Sequence, residues 1–454
     1  MTKSSVNPFA DCLTPEDVLA KIAQTDIERV QIGIFDVDAI LRWKRVSRDK
    51  FETLLTGGYS FCDVLYKWDI LEQPYGSEAY GDAPAKIDPT SGRLSPDTAK
   101  EALFIADFQG PLGELSGRNL LAQQMERAAT QGLRVISAFE YEFFTFEETP
   151  QSIRAKRYRD LTSFQPENRT YSALVPAVND GLFDVIEGYL NKADIWLDSM
   201  HSELGPGCFE FPLAATEGLR AADNAALFRL FVRICLQRRG LMPVFMAKWS
   251  DDWPGQSGHL HLSLRDDAGT AVFHDPDDPQ GISEALRHLI GGVTRLLPEA
   301  LALCSHTVNA YRRLVPGAWA PIASTWGIQN RTAAVRVIPG GAAATRIEFR
   351  VPAADANPHL TLALLLGAGL WGLENKISPP PAIEETTYDR AFPQEQRFPR
   401  TLLEAAERLA ESQVAQEIFG KAFIEHFVGT RLWEDQKVRG RVTEVDLERY
   451  FEAF

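Results

Sequence analysis

The chain has 454 residues, of which 45% are apolar and 24% are charged, and its formal net charge is −15. That length suggests two or three domains, or a large one with a smaller companion. The charge argues against a nucleic-acid backbone or an anionic membrane as the main partner. Five scattered cysteines without a CxxC pair, and an N-terminus without a signal-peptide core, predict a reduced, cytoplasmic protein.

The first hundred or so residues predict a small β-rich unit. Residues 15–24 have a helical pattern. Residues 29–46 predict two strands around a tight turn at 36–39, because they are rich in Val and Ile and partly alternate. Turn-forming residues then run from 73 to 93, and residues 103–107 predict one more short strand.

After Pro111 the pattern changes to long helices and apolar strands, which predicts a boundary between domains at 1–110 and 111–454. The apolar run at 360–373 is shorter than the roughly 20 residues of a membrane span and indicates a buried helix. Helices are predicted at 116–131, 217–239, 282–297, 357–375 and 401–419, and strands at 133–146, 242–248 and 258–265.

Polar residues alternate with apolar ones in three short strands, which places them on one face of each strand. They are Glu140 and Glu142 in one strand, His259, His261 and Ser263 in the second, and Arg346, Glu348 and Arg350 in the third. A fourth segment places Glu203 and Glu210 on either side of a Gly-Pro-Gly turn. Each pattern taken singly is typical of a solvated strand face.

Taken together, the four segments indicate a metal site. Bulky neighbours such as Phe139 and Tyr141 indicate that these strands are covered, and covered carboxylates are costly unless they are paired or bind cations. Five glutamates and a histidine suit Mg²⁺ or Mn²⁺. Arginines able to hold phosphate or carboxylate follow at Arg313, Arg331, Arg336, Arg346 and Arg350. Without a Walker motif or GxGxxG, this set suggests phosphoryl transfer outside the P-loop and Rossmann families.

The ordered motifs EYEFF, HSELGPGCFE, SGHLHLSL, RRLVPG, NRT, TRIEFR and DANPHL resemble those of the glutamine synthetase family over nearly the whole chain. The resemblance implies an α+β fold, with an N-terminal β-grasp domain and a catalytic domain built on a curved antiparallel sheet with helices. It also implies a homo-oligomer, either a hexameric ring or a double-ring dodecamer, with active sites between neighbouring subunits.

The same resemblance implies roles for individual residues. ATP would phosphorylate the γ-carboxylate of L-glutamate, and an amine would displace the phosphate, with two or more Mg²⁺ or Mn²⁺ ions in each site. The implied ligands are Glu142, Glu203 and Glu210 for the first metal, and Glu140, His259 and Glu348 for the second. The implied substrate and catalytic contacts are Arg313, Arg331, Arg350 and Gly255, and the implied nucleotide contacts are His261, Ser263, Arg336 and Arg346.

Two departures from the family pattern concern the amine. Family members that use ammonia carry a glutamate in the flap after RLVPG, where this chain has Trp319, and an aspartate in the small domain, where residues 57–61 contain no acid. Ammonium needs negative charge to bind and a base to become nucleophilic. Cys208, in place of a usual glutamine, is interpreted as a small buried hydrophobe.

Loss of both acids predicts a hydrophobic amine, aniline-like or a small alkylamine, with Trp319, Tyr59 and Phe61 around it. Trp319 could instead be a packing residue, and Phe61 a core residue. Three other functions remain open: a conventional glutamine synthetase, a polyamine or ethanolamine γ-glutamyl ligase, and a non-catalytic ring protein. The last is disfavoured because all six metal-ligand positions hold competent residues.

Overall fold

The computed structural model describes residues 7–77 and 79–452 and contains two β-sheets with helices packed around them. The strands are β1 Arg29–Phe35, β2 Leu41–Ser47, β3 Tyr59–Cys62, β4 Asp82–Ile87, β5 Arg93–Ser95, β6 Thr98–Phe108, β7 Leu133–Phe146, β8 His201–Ser202, β9 Cys208–Pro212, β10 Thr216–Glu217, β11 Met242–Val244, β12 Gly258–Asp266, β13 Trp326–Ile328, β14 Val335–Ile338 and β15 Arg346–Phe349.

The helices surround and connect these strands. They are α1 Pro15–Ala23, α2 Arg48–Gly57, α3 Gly110–Gly113, α4 Gly117–Thr130, α5 Pro150–Ala155, α6 Leu174–Val178, α7 Asp180–Lys192, α8 Arg220–Gln237, α9 Glu284–Ala300, α10 Pro358–Glu374, α11 Leu402–Glu411, α12 Gln413–Phe419, α13 Lys421–Arg439 and α14 Glu444–Tyr450. None of the helices in the described ranges is long and apolar enough to cross a membrane.

The first sheet has the strand order β2-β1-β6-β4-β3, with β5 added beside β6. The predicted hairpin of β1 and β2 forms with antiparallel register from Arg29 opposite Ser47 to Phe35 opposite Leu41. β6 lies parallel to β1 on its other side. Phe51 of α2 packs on Phe104 of β6, with ring centroids 4.9 Å apart, so α2 covers one face of this sheet.

The second sheet has the order β13-β14-β15-β12-β7-β9-β8, with β10 and β11 also paired to β7. It is antiparallel throughout except for the parallel pair β13 and β14. β7 is its longest strand, and the aromatic residues of β7 that alternate with the glutamates are buried. This confirms the fold class expected from the family resemblance.

A buried arginine links the first sheet to helices α4 and α8. Arg118 in α4 donates to Asp107 and Asp88, both at 2.6 Å, and to Asp223 of α8 at 2.8 Å. Because three carboxylates surround one guanidinium that is 4% exposed, removing Arg118 would leave these carboxylates without their shared cation. Helix α10 packs beside α4 and α9 and is buried on nearly all sides, as its apolar run predicts.

The sequence-based boundaries were wrong in several places. The single helix predicted at 401–419 is two helices, because Ser412 has extended backbone angles and its hydroxyl caps α12 by accepting from the Ala415 N–H. The strand predicted at 242–248 ends at Val244. The turn-rich stretch 73–93 contains β4, and α2, α7 and α13 were not predicted.

Candidate active site

Strand register places the polar residues in rows across the second sheet. His259 lies opposite Glu140, and Glu142 lies opposite Glu210. His261 lies opposite Glu348, which lies opposite Arg336 on the next strand. Paired residues on neighbouring strands point to the same face, so five strands deliver their polar side chains to one surface. That surface is one wall of a cavity of about 740 Å³.

The first cluster in the cavity contains His201, Glu203 and Glu210. The His201 Nε2 atom lies 3.0 Å from a Glu210 carboxylate oxygen and 3.6 Å from one of Glu203. Burial raises the pKa of Glu210 to about 8, and the charges of Glu140 and Glu142 add to the shift. Burial lowers the pKa of His201, but its interactions with Glu203 and Glu210 outweigh burial and raise that pKa to about 9.

The second cluster contains Glu140, His259, His261 and Glu348. Glu140 lies 3.4 Å from His259 and 3.3 Å from His261, and Glu348 lies 3.5 Å from His259. Burial opposes ionisation of Glu140, but both histidines hold its pKa well below the usual range. Burial also opposes ionisation of Glu348, yet the charges of His259 and Arg350 lower its pKa to about 2. Both carboxylates are therefore ionised at neutral pH.

Three arginines line the cavity beside the second cluster and are already engaged. Arg336 donates to Glu348 at 2.9 Å, Arg350 forms a close ion pair with Glu348, and Arg346 donates from Nε to His261 at 3.2 Å. By contrast, the Arg331 guanidinium, which also lines the cavity, forms no ion pair or hydrogen bond to any residue in the described ranges. Arg331 is therefore available to a ligand.

Arg313 lies in the cavity wall but is only 2% exposed. Its Nη1 donates to the Val351 carbonyl at 2.8 Å and its Nη2 to the Arg350 carbonyl at 3.3 Å. Burial lowers the pKa of Arg313 to about 10. These bonds fix the backbone that carries Arg350.

Gly255 is required by close packing against Arg313. A Cβ atom there would lie 2.6 Å from the Arg313 Cγ and 2.8 Å from the Ala247 carbonyl oxygen. Any larger residue would therefore displace Arg313 or the backbone. At the turn between β8 and β9, Gly207 has φ +74, and a Cβ atom there would lie 2.7 Å from the Thr145 carbonyl oxygen, so this turn also needs glycine.

Two exposed aromatic side chains also line the cavity. Trp319 is 57% exposed and has φ +55, a left-handed backbone conformation that is a strained one for a bulky side chain. Tyr171 is also exposed and stacks on His201, with ring centroids 4.8 Å apart. Ala318 and Leu204 also line the cavity and are uncharged. Trp319 is therefore not a core packing residue in this chain.

Most of the residues singled out in the sequence come together in this cavity. Those lining it are Glu140, Glu142, Glu203, Glu210, Gly255, His259, His261, Arg313, Trp319, Arg331, Arg336, Arg346, Glu348 and Arg350. Ser263 lies further along the same strand and does not line the cavity. Tyr59 and Phe61 do not line it either: they are buried in the core of the first sheet, 6% and 7% exposed.

The residues of this cavity that sequence reasoning missed include His201 and Tyr171. His201 precedes Glu203 by two positions, so the same alternation that selected other pairs was available for it. Tyr171 lies in an irregular segment with φ +53, where periodicity carries no information.

The donor atoms fit hard divalent cations. Three groups have ligand atoms within 4.8 Å of one another: Glu140 with His261 and Glu348, Glu140 with Glu210 and His259, and His201 with Glu203 and Glu210. In addition, the buried His259 Nε2 has no hydrogen-bond partner in the described ranges. Glu142 belongs to none of the groups, and one of its oxygens accepts from the Ser257 N–H at 2.7 Å.

Comparison with known proteins agrees with this arrangement. The family model described as "Glutamine synthetase, catalytic domain" matches residues 114–450. The chain is 34% identical over 438 residues to type-1 glutamine synthetase 2 of Dictyostelium discoideum, covering 93% of this chain and 83% of that protein. It is 32% identical over 442 residues to glutamate–isopropylamine ligase of a Pseudomonas species, covering 95% and 96%.

A solved structure is similar over the same extent. The structure described as a GmaS/ADP complex superposes with a TM-score of 0.83 at 25% sequence identity, covering 96% of this chain and 99% of that one.

Proposed function

The chain belongs to the glutamine synthetase family and is an ATP-dependent carbon–nitrogen ligase, and we propose that it joins the γ-carboxylate of L-glutamate to a hydrophobic amine. The observation that carries this proposal is the mixed lining of the cavity. Carboxylates, histidines and arginines line it together with the exposed indole of Trp319.

The carboxylates, histidines and arginines of the cavity suit the first step of the reaction, phosphoryl transfer. In the first step a γ-carboxylate oxygen of glutamate bonds to the γ-phosphorus of ATP, and ADP leaves with the electrons of the broken P–O bond. Arg331, which lines the cavity and has no partner in the described ranges, is proposed to bind the transferred phosphoryl group. Arg350, oriented by Glu348 and by the backbone bonds of Arg313, is proposed to hold the glutamate carboxylate.

We propose that Mg²⁺ or Mn²⁺ ions bind at the two clusters, at His201, Glu203 and Glu210 and at Glu140, His259 and Glu348. Glu142 is proposed as a further ligand of the first ion. The ions would neutralise phosphate charge, and the nucleotide would lie toward His261, Arg336 and Arg346.

The uncharged part of the lining around Trp319 suits the second step of the reaction, in which the amide forms. The nitrogen of the amine attacks the carbonyl carbon of γ-glutamyl phosphate, the C–O bond breaks, and phosphate leaves as hydrogen phosphate with the proton that the nitrogen loses. Ala318 and Trp319 carry no formal charge, so this part of the lining offers an apolar body a surface and adds no carboxylate that could bind ammonium. An arylamine is mostly neutral at pH 7 and needs no deprotonation before attack. The Pseudomonas relative, whose name specifies isopropylamine, supports the same class of substrate.

The test is ADP release from purified protein with ATP, Mg²⁺ and glutamate, using aniline, isopropylamine, ethanolamine, putrescine and ammonia in parallel. A Glu140→Gln variant serves as control for background ATP hydrolysis. We expect aniline or isopropylamine to exceed ammonia in kcat/KM by at least tenfold. The Dictyostelium relative makes glutamine synthesis the second candidate, and a preference for ammonia in this assay would replace our proposal with it.

We further propose that residues 1–110 and 111–454 are separate domains and that the cytoplasmic protein is a hexameric or dodecameric ring. In such a ring the β3 edge would approach the cavity of the neighbouring subunit. Tyr59 and Phe61 face the core of their own sheet, whereas Ser60 between them is exposed. Ser60, rather than the two aromatics, is therefore the residue of β3 that is free to reach a neighbour.

A further inference from the structure

A second cavity, of about 560 Å³, takes no part in the proposed reaction. It borders the flap, residues 317–321, at Pro316 and Ile322. We call it the arginine pocket, and its main lining residues are Arg390, Arg397, Arg400, Leu314, Val315 and Phe398. Its volume lies within the range of small-molecule sites in proteins. It is distinct from the active-site cavity, since the two share no lining residue.

The charge of the arginine pocket is poorly neutralised. Arg397 and Arg400 have no carboxylate within ion-pair distance in the described ranges, and the only such partner of Arg390 there is Glu385, at 2.9 Å. Arg390 and Glu385 are both exposed, so water screens their pair and it is weak. All three arginines line the cavity, and the Arg397 Nε also donates to the Phe392 carbonyl at 2.6 Å. Guanidiniums lining one cavity favour an anion with oxygen acceptors.

The rest of the lining is apolar, with one exception. Leu314, Val315 and Phe398 face the cavity, which favours a ligand with an apolar body. The exception is Tyr311, which is 8% exposed and whose buried hydroxyl has no hydrogen-bond partner in the described ranges. An unpaired buried hydroxyl is costly, and a polar ligand atom would relieve it.

The arginine pocket and the active-site cavity are connected by one segment of the chain. Val315 and Pro316 line the arginine pocket, while Ala318 and Trp319, two and three residues further along the same flap, line the active-site cavity. The segment that carries the arginines also contacts the loop of Arg331. The Asn330 side chain donates to the carbonyls of Ile383 at 3.0 Å and Glu385 at 2.9 Å.

We propose that the arginine pocket binds a small organic anion, a carboxylate or phosphate on an apolar body, and that its binding shifts the flap and thereby regulates the ligase. The anion head binds Arg390, Arg397 and Arg400, and the body packs on Val315 and Phe398. Because Val315 precedes Trp319 by four residues, an occupant that displaces Val315 also displaces the indole that faces the amine.

The first test is calorimetric and does not depend on activity, so its failure is distinguishable from failure of the proposed function. Phenyl phosphate, phenylacetate, neutral phenylacetamide and inorganic phosphate are titrated into the whole protein with its active site saturated by ADP, Mg²⁺ and glutamate. We expect one of the two aromatic anions to bind at least tenfold more tightly than phenylacetamide and inorganic phosphate. Which of the two binds better distinguishes a carboxylate ligand from a phosphate ligand.

Variants locate the site. Arg400→Gln and Arg390→Gln should each weaken binding of that anion at least about tenfold, because each removes a charge-assisted hydrogen bond. Arg295→Gln, which removes an exposed charge on α9, should leave binding unchanged. Equal affinity in all three variants, or no preference for an anion over the amide, would overturn the proposal.

The second test measures whether binding of the anion changes the flap. Hydrogen exchange of the peptides covering 314–320 and 329–333 should slow when the anion is added to the wild-type protein, but not to Arg400→Gln. Unchanged exchange in the flap with confirmed binding would refute the regulatory part. If native mass spectrometry shows that Arg400→Gln breaks an oligomer, the pocket is a contact between subunits and the proposal is wrong.

Discussion

Replacement of Trp319 by glutamate tests the amine specificity most directly. The indole is 57% exposed, which for a side chain of up to ~250 Å² leaves roughly 140 Å² free. A ring-sized amine covering about half of that area gains ~2 kcal/mol at ~25 cal/mol per Å², or about 30-fold in kcat/KM. We therefore expect Trp319→Glu to lower kcat/KM for aniline or isopropylamine by roughly that factor.

The same variant should raise the use of ammonia, because the new carboxylate supplies the charge that ammonium needs. The assay is ADP release with each amine varied at saturating ATP and glutamate. Trp319→Leu is the matched control, since it shortens the apolar surface without adding charge, and it should lower use of the apolar amine without a gain for ammonia. A Trp319→Glu enzyme whose kcat/KM for the apolar amine stays within about twofold of wild type would refute the proposed contact between Trp319 and the amine.

The strained backbone of Trp319 supplies an independent check. A bulky residue at φ +55 costs on the order of 1 kcal/mol, and glycine adopts that conformation freely. Trp319→Gly should therefore leave the melting temperature unchanged or raise it, while apolar amine use falls. A fall of several degrees would instead identify Trp319 as a packing residue, because only loss of buried contacts would produce it.

Further predictions concern the metals, the phosphoryl group, the glycine at the cavity wall and acid stability. Glu140→Gln should abolish ADP formation and reduce the number of Mn²⁺ ions bound at equilibrium, and near-normal values of both would contradict the metal assignment. Arg331→Gln should lower kcat by about 100-fold or more with little change in melting temperature, because the side chain has no partner to lose among the described residues. Gly255→Ala should reduce activity through displacement of Arg313, measurable as a rise in KM for glutamate. Burial lowers the pKa of His426 to about 4 from its usual 6.5, so the neutral form is favoured in the fold. The stability that it contributes is present above pH 6.5 and is lost as pH falls through 4, and His426→Leu should flatten urea-unfolding free energies over that range by up to ~3 kcal/mol.

Strand periodicity explains what could be predicted of the site. Glu140, Glu142, His259, His261 and Glu348 alternate with apolar neighbours, and the register of β7, β12 and β15 brings them to one face. The long strand β7 and the long helices α4 and α10 were predicted within one or two residues, because each buries one face or is buried throughout. Local pattern is sufficient wherever a whole element has one buried face.

Tertiary context explains what could not be predicted. Tyr59 and Phe61 were expected near the amine, yet alternation in β3 places both on the buried face of a different sheet. Ser412 interrupts a continuous helical pattern through its own backbone angles and hydroxyl, which apolar spacing does not record. Tyr171 reaches the cavity from an irregular segment, and only the fold places it beside His201.

The distribution of charge in the cavity bears on which amines it can accept. All of its carboxylates come from strands or from the turn beside them and lie within the two metal clusters or, for Glu142, against the Ser257 N–H. Cations bound there would neutralise that negative charge. No carboxylate would then remain to pair with the distal ammonium of a diamine. Among the described residues, no further carboxylate lines the cavity. An arylamine, which is mostly neutral at pH 7 and apolar at its other end, is thus the substrate that leaves no charge unpaired in the cavity.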